Sequence, residues 1–370
     1  MKQITILYQT LQSLISADEI EKLLQEEGYR ETARKFNSFE LLKVWISSAI
    51  EKWGSFRESE EHLRASKNLI EVNYSTFSKK ASAVPYSFFK KLLHLFLSRC
   101  NRRLRRDLEL PPSIAVDSTT ITTGAGNWKW AQFRGEKAGV KLHVSFDVQT
   151  MTPICVEESV ASQHDSKKAS QLVTMKRAIY ICDRAYAKYD RMDKLHGEDK
   201  FFVIRLKKNA VTRGERICSV PTKESYVRED WIARLGEEVN GTIHPFRLVT
   251  FHDLEGHEIR VVTNLYDVSA EAIAGMYRAR WQVELFFRWM KQHLNVKRLF
   301  GTTPNAVYGQ LYASLIAYAL IQWLYGYTRR AFSAISKIVF LRKLWLGQLP
   351  TEWLLRIYQF LHEECHRSLL

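Results

Sequence analysis

The sequence predicts an α/β domain with a mixed sheet, set between helical segments and interrupted by a stretch of strands alone. Three observations predict it. Apolar residues recur at three-to-four spacing up to about residue 108 and again from Ala270 onward; short β-branched runs interleaved with helix-like segments occupy 113–208; and 209–266 carries strand-like runs with no clear helix. With 370 residues the chain is long enough for two or three domains and a large buried core.

The helical reading of residues 1–108 rests on LLKVWISSAIEKW (41–53) and SFFKKLLHLFLSRC (87–100), and Pro111-Pro112 then ends that regime because proline cannot continue a helix. Strand-like runs follow at 113–121, 139–148, 152–161, 178–186 and 200–208. The second alternates strictly, with Val140, Leu142, Val144 and Phe146 on one face and Lys141, His143, Ser145 and Asp147 on the other. Helix-like segments at 167–177 and 188–197 separate the last three runs, which is the order of a mixed sheet with crossover helices. Further strands at 246–253 and 257–267 mark an all-β insertion over 209–266. The expected division is a basic helical N-terminal domain (1–108), an α/β core (109–208 and 267–330), the β insertion (209–266) and a helical C-terminal region (331–370).

Composition narrows the function. Hydrophobic residues make up 46% and charged residues 26%, so disorder and coiled coil are excluded for most of the chain. The excess of 55 Lys+Arg over 40 Asp+Glu gives a net charge of +15, which points to a polyanionic partner. A membrane is the poorer partner: the N-terminus lacks a signal-peptide pattern, and the most apolar stretch, 311–327, is short for a span and reads as a buried core helix. Five cysteines, odd in number and without CxxC spacing, predict reduced thiols and a cytoplasmic protein. Residues 62–106 hold eleven Lys/Arg against one acid, Glu71, and predict a phosphate-binding surface that includes Arg102, Arg103, Arg105 and Arg106.

Phosphodiester chemistry needs charge stabilisation on the attacking and leaving oxygens, which two Mg²⁺ ions about 4 Å apart supply when hard oxygen ligands hold them. Three carboxylates fit that demand. Asp117 follows the apolar run SIAV and Asp183 follows AIYIC, each a carboxylate closing a buried strand, where solvation is poor. The third is Glu284 in YRARWQVELFFRWMKQ (277–292), where a continuous helix would bring Tyr277, Arg280, Glu284 and Lys291 into one arc of about 60°, with Arg288 close by. A polar stripe on a helix otherwise rich in Trp, Phe and Leu is costly unless it faces a cleft with charged occupants.

Asp117, Asp183 and Glu284 in that order, with Tyr277-x2-Arg280-x3-Glu284-x6-Lys291, resemble the DDE transposases of bacterial insertion sequences, specifically the insertion sequence 4 family. DRAY at 183–186 is similar to that family's second-aspartate motif, with Ala185 where glycine is usual. The resemblance covers about residues 30–330. It implies a ribonuclease-H-like core interrupted by the β insertion, with Asp117, Asp183 and Glu284 as catalytic ligands of two Mg²⁺ ions, for which Mn²⁺ can substitute. It implies cleavage at the transposon ends, a hairpinned intermediate and joining to target DNA. It also implies that double-stranded DNA (terminal inverted repeats and target) is the partner, that a homodimer forms on paired ends, and that Tyr277, Arg280 and Lys291 contact DNA. Arg288, Arg134, Lys137 and Lys141 are further expected phosphate contacts, and an aromatic residue of the insertion, Trp231 or Phe251 among them, is expected to support an extruded base.

Two other readings share these residues: a DNA-binding protein of transposase descent that no longer cuts, and a nuclease without strand transfer. HEECH (362–366) matches the two-histidine zinc pattern but has only four residues after it and no third ligand in view, so no zinc site is expected. His164-Asp165 reads as a polar loop after the third strand, and GAGN (124–127) is too short to cradle a phosphate.

Overall fold

The computed structural model describes residues 5–105, 111–124, 128–133, 137–219, 225–253, 255–331, 336–346 and 348–367. The chain divides into two compact units.

The first unit comprises Met1–Arg105, Ile121–Ala138 and Arg288–Leu370. Its helices begin with α1 (Thr5–Leu14), α2 (Ala17–Glu26), α3 (Ser38–Glu51), α4 (Phe56–Ala65), α5 (Tyr74–Ala83) and α6 (Tyr86–Arg105). Local chemistry sets several of their starts: Ser16 and Glu19 form a capping box at α2, and the Asn37 side chain accepts from the amides of Phe39 and Glu40 at α3.

The basic stretch 62–106 is less basic in space than in sequence. Lys80 pairs with Glu31 at 2.6 Å, Lys91 with Glu26 at 3.0 Å and Glu27 at 2.6 Å, Arg99 with Glu19, and Arg64 with Glu60 and with Glu71 at 3.4 Å. Apart from Glu60 and Glu71, these acids come from α2 and the segment after it, well before the stretch, so a charge count over a window missed them. The window's net charge therefore overstates the cationic surface.

The second unit comprises Arg106–Thr120 and Gly139–Phe287 and holds most of a ten-stranded mixed sheet. The strands are β1 (Ser113–Gly124), β2 (Gln132–Phe133), β3 (Lys137–Asp147), β4 (Thr152–Val160), β5 (Ile179–Cys182), β6 (Phe201–Arg205), β7 (Thr212–Ile217), β8 (Val227–Leu235), β9 (Phe246–His252) and β10 (Glu258–Thr263). They run in the order β2-β3-β1-β5-β6-β10-β9-β8-β7, with β4 also paired to β3. Helices α7 (Ala169–Leu172) and α8 (Tyr189–Gly197) precede and follow β5, and α9 (Ala270–Ala279) and α10 (Trp281–His293) come after β10. Helices α11 (Pro304–Ala331), α12 (Lys337–Leu346) and α13 (Thr351–Arg367) return the chain to the first unit. Leu311 to Leu324 of α11 is almost wholly buried there, as expected for a core helix, and no helix among the described residues is long and apolar enough to cross a membrane.

Period-two alternation explains how the central strands serve two cores at once. Ile114 and Val116 of β1, Tyr180 and Cys182 of β5, and Phe202 and Ile204 of β6 pack with Ala169, Leu172, Met192 and Leu195 of α7 and α8. Ile179, Ile181 and Val203 pack with Val249, Phe251, Ile259 and Val261 and with Ala270, Ile273, Ala274 and Tyr277 of α9.

The segment expected as a β insertion carries four strands, and they form no separate layer: β10 pairs antiparallel with β6, β9 with β10, and β8 with β9, so one sheet continues through it. A buried fork locks this extension, with Arg247 Nε donating to Asp230 Oδ1 at 2.8 Å and Nη2 to Oδ2 at 2.7 Å. Arg247 Nη1 also donates to the carbonyls of Leu265 and Tyr266, which ties the extension to the segment leading into α9.

Candidate active site

The site begins with strand register. β1, β5 and β6 are parallel neighbours, with Val116 opposite Cys182 and Cys182 opposite Ile204. The residues that follow are Asp117, Asp183 and Arg205: Asp183 leaves the sheet after β5, and Asp117, inside β1, lies just past the last β1–β5 pair, so both sit at the carboxyl end of β5, where open α/β sheets place their ligands. Asp117 keeps its place because its Oδ1 accepts from the Ser118 amide at 2.8 Å. Asp183 opens a 3₁₀ turn, its carbonyl accepting from the Tyr186 amide at 2.9 Å.

Glu284 arrives on the first turn of α10. The stacking of Phe286 on Phe146 of β3, with ring centroids 5.0 Å apart, holds that turn against the sheet. Between the carboxylates lies Arg280: Nη1 donates to Asp117 Oδ2 at 3.2 Å and Nη2 to Glu284 Oε1 at 2.5 Å. Its guanidinium also lies 5.9 Å from the centroid of the Tyr277 ring. One planar fork thus bridges carboxylates from two distant segments, a geometry that lysine cannot reproduce.

Electrostatics mark the same place. Burial raises the Asp117 carboxyl from 3.8 to about 6; the Ser118 amide and Arg280 oppose the rise, and the charges of Glu284 and Asp183 add to it. Asp117 is therefore poorly solvated and feels the charge of both other carboxylates. Among the described residues no three acidic, imidazole or thiol groups converge on a single point, since Arg280 occupies the ground shared by Asp117 and Glu284. The donor set nevertheless fits a divalent cation in kind: hard carboxylate oxygens from three backbone segments, with more negative charge than the one guanidinium offsets.

The helix expected over 277–292 carries one irregular step at Arg280, whose backbone keeps right-handed helical dihedrals (φ −52°, ψ −31°). α9 ends at Ala279, α10 starts at Trp281, and the ladder tightens to three-residue steps, Arg280 N–H to the Tyr277 carbonyl and Val283 N–H to the Arg280 carbonyl, each 3.1 Å. Tyr277 is 5% exposed, packed in the core with Phe251, and burial raises its hydroxyl pKa; its position makes it a support for Arg280. Lys291 and the exposed Arg288 lie on the part of α10 that belongs to the first unit, and Lys291 is half-buried, its pKa lowered by burial and by Lys297.

Other expected contacts fare differently. Lys141 is engaged within the fold, its Nζ 3.0 Å from Asp165 Oδ1 and from the Gln163 carbonyl. Asp165 belongs to the His164-Asp165 pair, so that loop is tied to β3. Phe251 is fully buried and cannot support a base, whereas Trp231 is half-buried on β8. Lys137 and Arg102 are exposed, and Arg105 is half-buried. Arg134, Arg106 and the side chain of Arg103 lie outside the described residues, as do the side chains of HEECH.

Two features of this edge escaped the reading by sequence. Trp281, directly after Arg280, is 48% exposed, and Arg184, Lys207 and Lys208 gather beside Asp183. The paired lysines at the end of a strand-like run were the available signal.

Comparison with known proteins agrees with this architecture. Residues 109–320 match the family model "Transposase DDE domain". The chain is 42% identical to the probable transposase for insertion sequence element IS5377 of Geobacillus stearothermophilus, over 95% of this chain and 94% of that protein. It is 25% identical to the putative transposase for insertion sequence element IS4SA of Synechocystis, over 78% of this chain and 82% of that one. Among solved structures, the piggyBac transposase in a synaptic complex with hairpin DNA superposes with a TM-score of 0.51 at 10% identity, covering 96% of this chain and 84% of that one, a likeness of fold. Family model and relatives agree, and the chain belongs to the DDE transposases, with relatives of the insertion sequence 4 type.

Proposed function

We propose that this transposase cuts the ends of its own insertion sequence and joins them to target DNA by phosphoryl transfer at Asp117, Asp183 and Glu284. The observation that carries the reading is the convergence at Arg280: one guanidinium bonds to Asp117 and Glu284, while Asp117 feels the charge of Asp183. Acidic groups brought together from three segments, one of them poorly solvated, are costly for stability alone and suit a cation-binding centre.

DDE transposases generally use divalent metal ions. Here two Mg²⁺ ions, with Mn²⁺ able to replace them, would be held by Asp117, Asp183 and Glu284 and would stabilise charge on the attacking and leaving oxygens. The protein's own contribution is positional. Parallel pairing fixes the two aspartates at one sheet edge, and α10 delivers Glu284 to them. Tyr277 supports Arg280, whose fork bonds to Asp117 and Glu284 in the free protein and would be free to meet a DNA phosphate if the carboxylates held cations instead. Arg288 and Lys291 on α10, Lys137 on β3, and Arg102, Arg103, Arg105 and Arg106 around the end of α6 serve as backbone contacts, the N-terminal helices (1–108) forming the end-binding domain.

Two copies pair on the two ends, in the bacterial cytoplasm, and each end passes through a hairpin. The piggyBac complex offers a precedent for the last step, because the DNA in it is a hairpin. The intact three-carboxylate set favours this reading over a silent DNA-binding remnant.

The test is a denaturing-gel assay on a duplex carrying the element's end. Nicked, hairpinned and target-joined strands are expected with Mg²⁺ and none with EDTA. Nicking without a hairpin or joined product would reduce the protein to a nuclease, and binding without any cut would support the silent reading.

A further inference from the structure

The loops leaving β5 and β6 carry charges that the carboxylate chemistry does not use. Asp183, Arg184 and Ala185 from one loop and Lys207, Lys208 and Asn209 from the other line a cleft of about 520 Å³. Register dictates this meeting: β5 and β6 are parallel, with Cys182 opposite Ile204, so both loops leave at the same edge. Arg184, Lys207 and Lys208 are exposed, and none makes an ion pair among the described residues. Nearby lysines behave otherwise: Lys141 pairs with Asp165, Lys168 with Glu157 and Lys200 with Glu198. Three exposed cations line one cleft with Asp183 as its sole acid, so the cleft itself carries more positive than negative charge. An anion seated in the cleft would balance that charge.

We infer that this cleft binds the phosphodiester backbone of the DNA strand that runs past Asp183, with Arg184, Lys207 and Lys208 each neutralising a phosphate. The inference rests on reading Asp183 as part of the DNA-cutting centre and deepens it by assigning where the strand lies on one side of that centre. Two lysines in succession act as point charges that need no fixed orientation of the phosphate, so the contact is independent of base sequence.

The experiment measures binding, not cutting. A fluorescein-labelled duplex of about 40 base pairs carrying the element's end, and a scrambled duplex, are titrated in EDTA with the full-length protein and with Lys207→Ala/Lys208→Ala across a range of salt. Loss of two phosphate contacts lowers the slope of log affinity against log salt by about 2, and affinity near 0.15 M salt by on the order of tenfold, on both duplexes alike. Lys207→Arg/Lys208→Arg is expected to retain both. An unchanged slope in the alanine variant overturns the inference, and so does an arginine variant as weak as the alanine one. If the alanine pair melts lower, single Lys207→Gln and Lys208→Gln exchanges carry the test, each expected to lower the slope by about 1. Cutting by Asp183→Asn in Mg²⁺ is scored separately: a variant that still cuts removes the carboxylate reading, whereas an unchanged salt slope removes only the cleft.

Discussion

Replacing Asp117 with asparagine should stabilise the metal-free protein while abolishing its chemistry. Burial raises the Asp117 carboxyl from 3.8 to about 6, against the pull of the Ser118 amide and Arg280. At about 1.4 kcal/mol per pH unit, that rise corresponds to up to about 3 kcal/mol lost to the charged carboxylate at pH 7.5. The folded carboxyl holds its proton more tightly than the unfolded one. This contribution is therefore most favourable below about pH 4, declines as pH rises through about 6, and is level above that. Asparagine has no charge to desolvate and keeps an oxygen for the Ser118 amide. In EDTA at about pH 7.5 the Asp117→Asn protein is expected to melt a few degrees above wild type, and the gap should close near pH 4.5. Added Mg²⁺ should raise the melting temperature of the wild type and leave the variant unmoved. A variant that melts below wild type in EDTA at neutral pH would refute the reasoning, because it would mean that the Arg280 bond outweighs the cost of burial.

Other outcomes follow from the same contacts. Asp230→Ala strands a buried Arg247 and should cost about 3–5 kcal/mol, read as a shift of the urea midpoint, with much of the loss recovered when Arg247 is made apolar as well. Phe286→Ala removes the ring that packs on Phe146 and should destabilise by about 3–5 kcal/mol; because Glu284 rides on the same turn, cutting should fall even at temperatures where the protein stays folded. Arg280→Lys keeps the charge but cannot bridge two carboxylates, so both melting temperature in EDTA and cutting in Mg²⁺ should drop, whereas cutting equal to wild type would show that the fork is dispensable.

Much of the fold was legible because local pattern carried it. The alternation over 139–148 appears as β3, the run SIAV as the start of β1, and most of the apolar stretch 311–327, Leu311 to Leu324, as the buried middle of α11. What failed depended on distant partners. The helix read over 167–177 shrinks to Ala169–Leu172, since Val173 leaves helical geometry and the Met175 amide donates instead to the Tyr180 hydroxyl at 2.7 Å. The irregular step at Arg280 has no proline or glycine to announce it; the Arg280 side chain reaches carboxylates whose positions only the tertiary structure sets. Strand order has no local signature, so the union of 209–266 with the main sheet was invisible. At the site, the two aspartates could be found because each follows an apolar run, although β1 continues past Asp117 to Gly124. The cleft of Arg184, Lys207 and Lys208 could not, because it exists only once β5 and β6 lie side by side.

The most direct test of the central claim compares three isosteric exchanges, Asp117→Asn, Asp183→Asn and Glu284→Gln, for cutting of a pre-bound end duplex in Mg²⁺. If the three carboxylates form one centre, each exchange lowers cutting by roughly a thousandfold, the scale of the several kcal/mol that metal ions contribute, while end binding in EDTA stays within about twofold of wild type. A single exchange that cuts within about tenfold of wild type would remove that carboxylate from the centre and contradict the account.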